Sequence, residues 1–594
     1  MSRLFVAALM CGFALNIQAQ DAKPEADPKL AIRAGEILRQ NCVRCHKGTG
    51  SESGYAFNVL DIGSLADEGV VVAGDHGNSE LFNAMFSGRM PPKNRPQLPR
   101  PSAEDVEAIK NWIAAGAAPI PAPEPRPVIE LKSELLAIQK HLQDASRDDR
   151  PNLRYFRMSH LHNDPKVDTG TLQTTRIALA KVLNSLSWEA VLVEPKAINP
   201  EQTIYAVDIA SLGWTRDHWN AMLKSYPYAL SYGSLDDSSL KDIDDDISDM
   251  RRDQSPVVVR ADWMIAVASK PPLYYSLLFD LELPELVPRR ADPKNPANPK
   301  SMTDADLEHY LGVDVIRNFL SGKAVRSGYT ESGVSGQNRL IERHPLKSGG
   351  FYWKSYDFKS SNRTAILSEF PLGPKFHDNP FNDLAFEHDG GEIIFSLPNG
   401  LQGYLLVDAK GNRIDAGPIE VVGDSLKTSG NEQIVAGVSC IACHRVGMIE
   451  SPDDEVRLFS GAVNDARDHV RRLYPENDDF RKWLEQDRRT FVNSLQRAIE
   501  PFVHGETVES LPEPVGEVSR RYHLEPMSLE TVAAELHVEA ARLRGSIEAD
   551  PKLRELGLRV LLRDGGTIKR AAWESPAAFP LMKQTARQLG FDPR

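Results

Sequence analysis

Two copies of one pentapeptide constrain this chain more than any other feature: Cys42-Val43-Arg44-Cys45-His46 and Cys440-Ile441-Ala442-Cys443-His444. Two cysteines three positions apart can each add to a vinyl group of one haem, and the histidine that follows is then held beneath the iron as an axial ligand. The competing readings are a zinc half-site, a redox Cys-x-x-Cys pair, or coincidence. With five cysteines and fifteen histidines in 594 residues, coincidence gives one such match in roughly a thousand chains, so two matches are not accidental. A closed zinc site usually draws four ligands from paired half-motifs, whereas Cys-x-x-Cys-His crowds three together. The sequence therefore predicts two covalently bound c-type haems, one attached through Cys42 and Cys45 and one through Cys440 and Cys443. His46 and His444 are the expected iron ligands.

Residues 1–19 carry one positive charge at Arg3, an apolar run over residues 4–10, and the ending Ile17-Gln18-Ala19. This reads as a secretory signal peptide cut after Ala19 and predicts a periplasmic or secreted protein. The segment is too short for a membrane span, and no later stretch reaches eighteen consecutive apolar residues. Cys11 raises the alternative of a lipid-modified cysteine, which Met10 before it disfavours. Cleavage would remove Cys11, leaving every remaining cysteine inside a haem motif. That economy suits an oxidising compartment, where a stray thiol would compete for the attachment cysteines. The net charge of -13 argues against a nucleic-acid partner and favours a basic redox partner protein.

Downstream, Leu30, Ile32, Ala34, Ile37 and Leu38 suit one helix over residues 29–40, ending at the first motif. A Gly- and Ser-rich loop at 48–54 follows, then a helix over 79–86 that Ser87-Gly88-Arg89-Met90-Pro91-Pro92 breaks. Ser102 can cap a helix over 103–115, with Glu104 and Asp105 in its positive first turn and Val106, Ile109, Trp112 and Ile113 as its apolar stripe. Helix, attachment motif, loop, helix, Met-Pro and helix, in that order, resemble a class I c-type cytochrome domain over residues 29–118. The resemblance implies an all-α fold and makes Met90 the sixth iron ligand. A thioether on a loop stiffened by Pro91 and Pro92 suits that role, and Met/His ligation favours electron transfer. Of the competitors, Met85 fits a helix face and His76 a solvated turn.

Prolines at 119, 121, 123, 125 and 127 mark a semi-rigid linker over residues 119–128. At its end Val128, with Leu131, Leu135, Ile138 and Leu142, predicts a helix leading into a mixed α+β domain of unknown function over 129–425. There Leu172, Leu179, Leu183 and Leu186 line a helix, residues 190–193 and 203–209 read as strands, and Thr215 can cap a helix carrying Trp219 and Leu223. Asp236 and Asp237, with Asp242, Asp244, Asp245, Asp246 and Asp249, form an acidic run that reads as a solvated loop, since the glycine and terminal glutamate of a calcium loop are absent. Residues 351–358, 392–396 and 401–407 predict a β-meander, with Asn399-Gly400 as a hairpin turn and Lys410-Gly411-Asn412 as the next.

Residues 386–404, Phe-Glu-His-Asp-Gly-Gly-Glu-Ile-Ile-Phe-Ser-Leu-Pro-Asn-Gly-Leu-Gln-Gly-Tyr, followed by the second motif, resemble bacterial cytochrome c domain-containing proteins of unassigned activity. That resemblance extends from residue 129 to the end and brings no substrate with it. Residues 426–594 read as a mainly helical region around the second motif, with helices over 463–473, 480–499 and 529–543. In the middle one, Trp483, Leu484, Phe491, Leu495 and Ile499 face a core and Glu485 pairs with Arg489. Met448 stands too close to His444 to cross the haem. Met527, His523 and His388 are candidates for the distal ligand of the second iron, with His344 and His469 behind them, and none is singled out.

The expected architecture is multidomain: an all-α cytochrome c-like N-terminal domain, a mixed α+β middle region with a β-meander, and a mainly helical C-terminal region. The function expected first is electron transfer by a dihaem c-type cytochrome. Alternatives are a dihaem oxidoreductase, a peroxidase or substrate dehydrogenase with an open second haem, and a redox-linked binding module.

Overall fold

A computed structural model of the chain describes residues 28–43, 46, 58–92, 100–120, 126–232, 237–280, 291–292, 295–299, 302–329, 338–359, 366–419, 422–449, 455–503, 505–575 and 581–593. The expected signal peptide, Cys11, the 48–54 loop and the centre of the proline-rich stretch lie outside them. The chain divides into two compact units, Met1–Pro123 and Glu124–Arg594. No helix among the described residues is long and apolar enough to cross a membrane.

In the first unit the described elements include the helices Pro28–Asn41, Ile62–Asp67, Glu80–Phe86 and Ala103–Ala114. The first and last pack together because Ala34, Ile37 and Leu38 on one meet Ile109, Trp112 and Ile113 on the other, all buried. Ser102 starts the last helix as expected: its Oγ accepts from the Asp105 N–H at 3.0 Å while the Asp105 carboxylate accepts from the Ser102 N–H at 3.0 Å. This reciprocal box satisfies two donors that the first turn would otherwise leave open.

The second unit has mixed α and β content. Its four-stranded sheet runs Lys196–Ala197, Ile204–Asp208, Leu153–Arg157 and Val258–Arg260, with the last pair parallel and the others antiparallel. Every residue of Leu153–Arg157 is buried, as a strand covered on both faces requires. Six antiparallel strands, Val325–Tyr329, Arg339–Pro345, Phe351–Asp357, Gly390–Ser396, Gln402–Asp408 and Arg413–Ile414, pair in chain order. The meander read from the sequence is therefore there, with further strands on its near side. Gly400 takes the positive φ of 85° that its turn needs, and Asn399 beside it donates to the Asn184 carbonyl at 2.9 Å. One apolar core runs from Leu131 to Phe591, so the 129–425 and 426–594 stretches share it.

Four local readings change. The acidic run is the helix Ser238–Arg251 with Asp237 as its N-cap, not a loop. Leu240, Ile243 and Ile247 recur at steps of three and four and bury one face, while the aspartates take the outer face, Asp246 accepting from Gln139 at 3.0 Å. The long helix expected over 529–543 is two, Leu529–Glu535 and Ala540–Ala549, because His537 adopts a φ of 52° between them. Residues 190–193 form no strand; the short strand is Lys196–Ala197. On Asn477–Ile499, Trp483 is 39% exposed beneath the Arg343 guanidinium, 4.6 Å from its ring centre, and Glu485 pairs with Arg488 at 3.4 Å.

A buried polar network joins the four-stranded sheet to the C-terminal helices. Arg260 pairs with Asp262 at 2.6 Å and with Glu535 at 2.9 Å, and Arg570 pairs with Glu535 at 2.7 Å. Tyr228 donates to Glu535 at 2.8 Å, and Arg157 meets Glu134 at 3.1 Å. His160 and His537 lie among these groups. Burial, with Arg260 near the first and Arg157 near the second, pushes their pKa values down from 6.5 to about 4 and about 3. Below pH 6.5 the unfolded chain protonates both histidines and the folded chain does not, so the unfolded state binds more protons. Each is expected to remove about 1.4 kcal/mol of stability per pH unit as the pH falls from 6.5 towards 4. Urea midpoints at about pH 7.5 and about pH 5 check this, and His537→Asn should flatten the dependence. A midpoint that stays put contradicts it.

Candidate functional site

The first motif follows directly on Pro28–Asn41. The Cys42 N–H donates to the Leu38 carbonyl at 2.9 Å, and the His46 N–H to the Cys42 carbonyl at 3.0 Å. The Val59 N–H donates to the His46 carbonyl at 2.8 Å, tying the chain back beyond the loop. Cys42 is half-buried, and burial lowers the His46 pKa. Cys45 lies outside the described residues. Met90 is exposed and its N–H donates to the Ala84 carbonyl at 3.0 Å, while Met85 is buried in the helix face as expected.

The second motif occupies the short helix Val438–Cys443. Gly437 precedes it at a φ of 78°, and a Cβ there would stand 2.3 Å from the Ser269 carbonyl oxygen, so only glycine lets the helix start this close to its neighbour. On the other side the helix Pro514–Leu524 packs against it. Inside, Lys181 Nζ donates to the Ile441 carbonyl at 3.3 Å and pairs with Glu513 at 2.8 Å. The Ser439 hydroxyl meets Thr428 Oγ1 at 2.9 Å and Asp424 at 3.2 Å. The motif is therefore fixed at both ends by buried polar contacts.

Cys440, Cys443 and His444 line a cavity of about 330 Å³, within the range of small-molecule and cofactor pockets. Leu406, Ile414, Val422, Ile434 and Met448 supply apolar wall, and Arg339 and Lys359 line it as well. Arg339 is held by Asp357 through two contacts at 2.5 and 3.1 Å. His444 Nδ1 stands 3.2 Å from the Gly447 carbonyl. A carbonyl only accepts, so Nδ1 carries a proton, which leaves Nε2 as the nitrogen that can ligate a metal. Nε2 faces Glu392 Oε2 at 3.6 Å. Burial raises the Glu392 pKa, but His444 beside it outweighs this and brings it down to about 2. Burial pushes the Cys440 thiol well up, and the Cys443 thiol to about 12.

This donor set fits a covalently attached haem: two thiols, a histidine with Nε2 left as the ligating nitrogen, apolar walls, and basic residues suited to propionates. The distal candidates from the sequence lie elsewhere. His388 packs edge-on to Tyr356, 5.1 Å between ring centres. His523 stands 3.0 Å from Lys270 Nζ, and Met527 lines a different, smaller cavity with His160. His344 meets Glu342 at 3.0 Å and His469 stacks on Phe381. None of these five is among the residues lining the cavity. Glu392 is, and sequence reasoning passed over it as a strand residue; its one signal was a carboxylate in an otherwise apolar run.

Residues 42–94 match the sequence profile of a family described as Planctomycete cytochrome C. They hold a cytochrome c-like domain. Such a domain implies covalently bound c-type haem and a part in electron transfer. The match spans Cys42, His46 and Met90 and ends well before the second motif. No curated protein and no solved structure is significantly similar to the chain.

Proposed function

We propose that this protein is an exported dihaem c-type cytochrome that passes electrons between a partner protein and a second haem. The cytochrome c-like domain would hold one haem through Cys42, Cys45 and His46, with Met90 as sixth ligand. The second would sit in the cavity beside Val438–Cys443, attached through Cys440 and Cys443 and held by His444. The observation that carries this reading is the His444 environment: Nδ1 tied to Gly447, Nε2 left as the ligating nitrogen, and both motif thiols on the same cavity of about 330 Å³. When bound, haem supplies a one-electron iron couple. The chain supplies rigidity and exclusion of water. Lys181 and Glu513 anchor one end of the motif helix, Ser439 and Asp424 the other, and the apolar walls keep the site dry.

Two covalent haems per chain are the expected result when the full chain is produced with a cytochrome c maturation system and assayed as the pyridine haemochrome. One haem per chain would refute the dihaem reading.

The oxidoreductase alternative has one observation in its favour: the five candidate distal ligands lie outside the His444 cavity. A second iron that binds cyanide would support it, and two irons inert to cyanide would exclude it.

A further inference from the structure

Glu392 is hard to explain as a structural residue. It lies on the strand Gly390–Ser396, opposite Leu406, and its neighbours Ile393 and Phe395 are fully buried. Its side chain is 14% exposed and lines the same cavity as His444. A carboxylate among apolar walls costs free energy unless a cation or several donors meet it. No arginine or lysine forms an ion pair with it among the described residues; the charge of nearby Arg339 acts on it, but the two close contacts of that guanidinium go to Asp357. Its carboxylate meets two groups instead, the Cys440 thiol and His444. Haem attachment through Cys440 would turn that thiol into a thioether and remove its S–H donor. Glu392 would then face His444 and whatever His444 holds. Nε2 and Oε2 stand 3.6 Å apart on the one cavity, so a metal held by His444 would be within reach of Glu392.

We propose that Glu392 supplies an anionic oxygen ligand to the iron held by His444. This rests on the haem reading of the second motif and goes beyond it by naming the distal group. An anionic oxygen donor favours the ferric over the ferrous state, whereas Met/His ligation raises the potential. With Met90 as proposed above, the second haem is thereby the low-potential centre and the Met90 haem the high-potential one.

The test is an optical redox titration of the dihaem holoprotein, with near-infrared magnetic circular dichroism of its ferric form to identify each axial ligand pair. Two separated potentials are expected. Glu392→Gln should shift the lower one upward and change that haem's ferric spectrum, while the upper one stays. Glu392→Asp, which keeps the charge, should move both readouts less. Unchanged potentials and spectra in Glu392→Gln would overturn the proposal. Where that variant fails to accumulate, the wild-type spectrum decides: a Met/His or bis-His signature at both haems overturns it. A haem count on the same samples separates the two failures, because one haem per chain defeats the dihaem reading and two haems with an unchanged Glu392→Gln defeat only the role of Glu392.

Discussion

Replacing Cys440 and Cys443 together with alanine is expected to halve the covalent haem content, from two per chain to one. Thioether links survive denaturation, so the loss is read directly: after limited proteolysis and denaturing electrophoresis, haem staining should vanish from fragments of residues 124–594 and persist on those containing Cys42. The effect is large because attachment is a bond that is present or absent. Cys440 is 1% exposed and Cys443 is half-buried on the cavity wall, and two Cys-to-Ala changes there remove little volume, so the chain should still fold. Staining that persists on the C-terminal fragments would place the second haem elsewhere, and fragments that never stain, even in wild type, would remove the second haem.

Glu535→Ala is expected to lower stability by about 3 kcal/mol, the lower end of the cost of removing one partner from a buried ion-pair network. Glu535 is 2% exposed and accepts from both Arg260 and Arg570, with Tyr228 and Trp573 donating to the same carboxylate at 2.8 and 3.0 Å. Burial raises its pKa, and the two guanidiniums outweigh this and hold it at about 2. Removing it takes one of two carboxylate partners from each guanidinium, Asp262 and Glu574 remaining, and takes the acceptor at 3.0 Å from the Trp573 N–H. Urea unfolding measures the loss. Glu548→Ala, at an exposed position, is the control and should stay within about 0.5 kcal/mol of wild type. A Glu535→Ala midpoint equal to that of the control would mean that water or rearrangement reaches Arg260 and Arg570.

Local elements were legible in the sequence wherever one chemical pattern decided them. Ser102 with Asp105 marked a helix start and Asn399-Gly400 a hairpin, and both are found as read; Leu131, Leu135, Ile138 and Leu142 form the buried helix face expected of them, while Val128, read with them, lies before the helix and is exposed. The misreadings arose where two patterns competed. Asp242 to Asp249 looked like a solvated loop because charge dominates composition, yet Leu240, Ile243 and Ile247 needed only one buried face to make a helix. The reverse happened at 529–543, where continuous helical periodicity hid the left-handed turn at His537.

The sequence by itself determined the chemistry on offer: two Cys-x-x-Cys-His motifs, a Met-Pro loop and a meander leading into the second motif. These are legible because covalent chemistry and short-range periodicity depend on residues a few positions apart. What faces His444 was decided only by the tertiary structure. Glu392 precedes His444 by 52 positions in the chain and reaches it because pairing with Gln402–Asp408 turns that carboxylate towards the cavity beside Val438–Cys443. Sheet register and helix packing set such a contact through many weak terms spread over the chain, and no local motif records their sum.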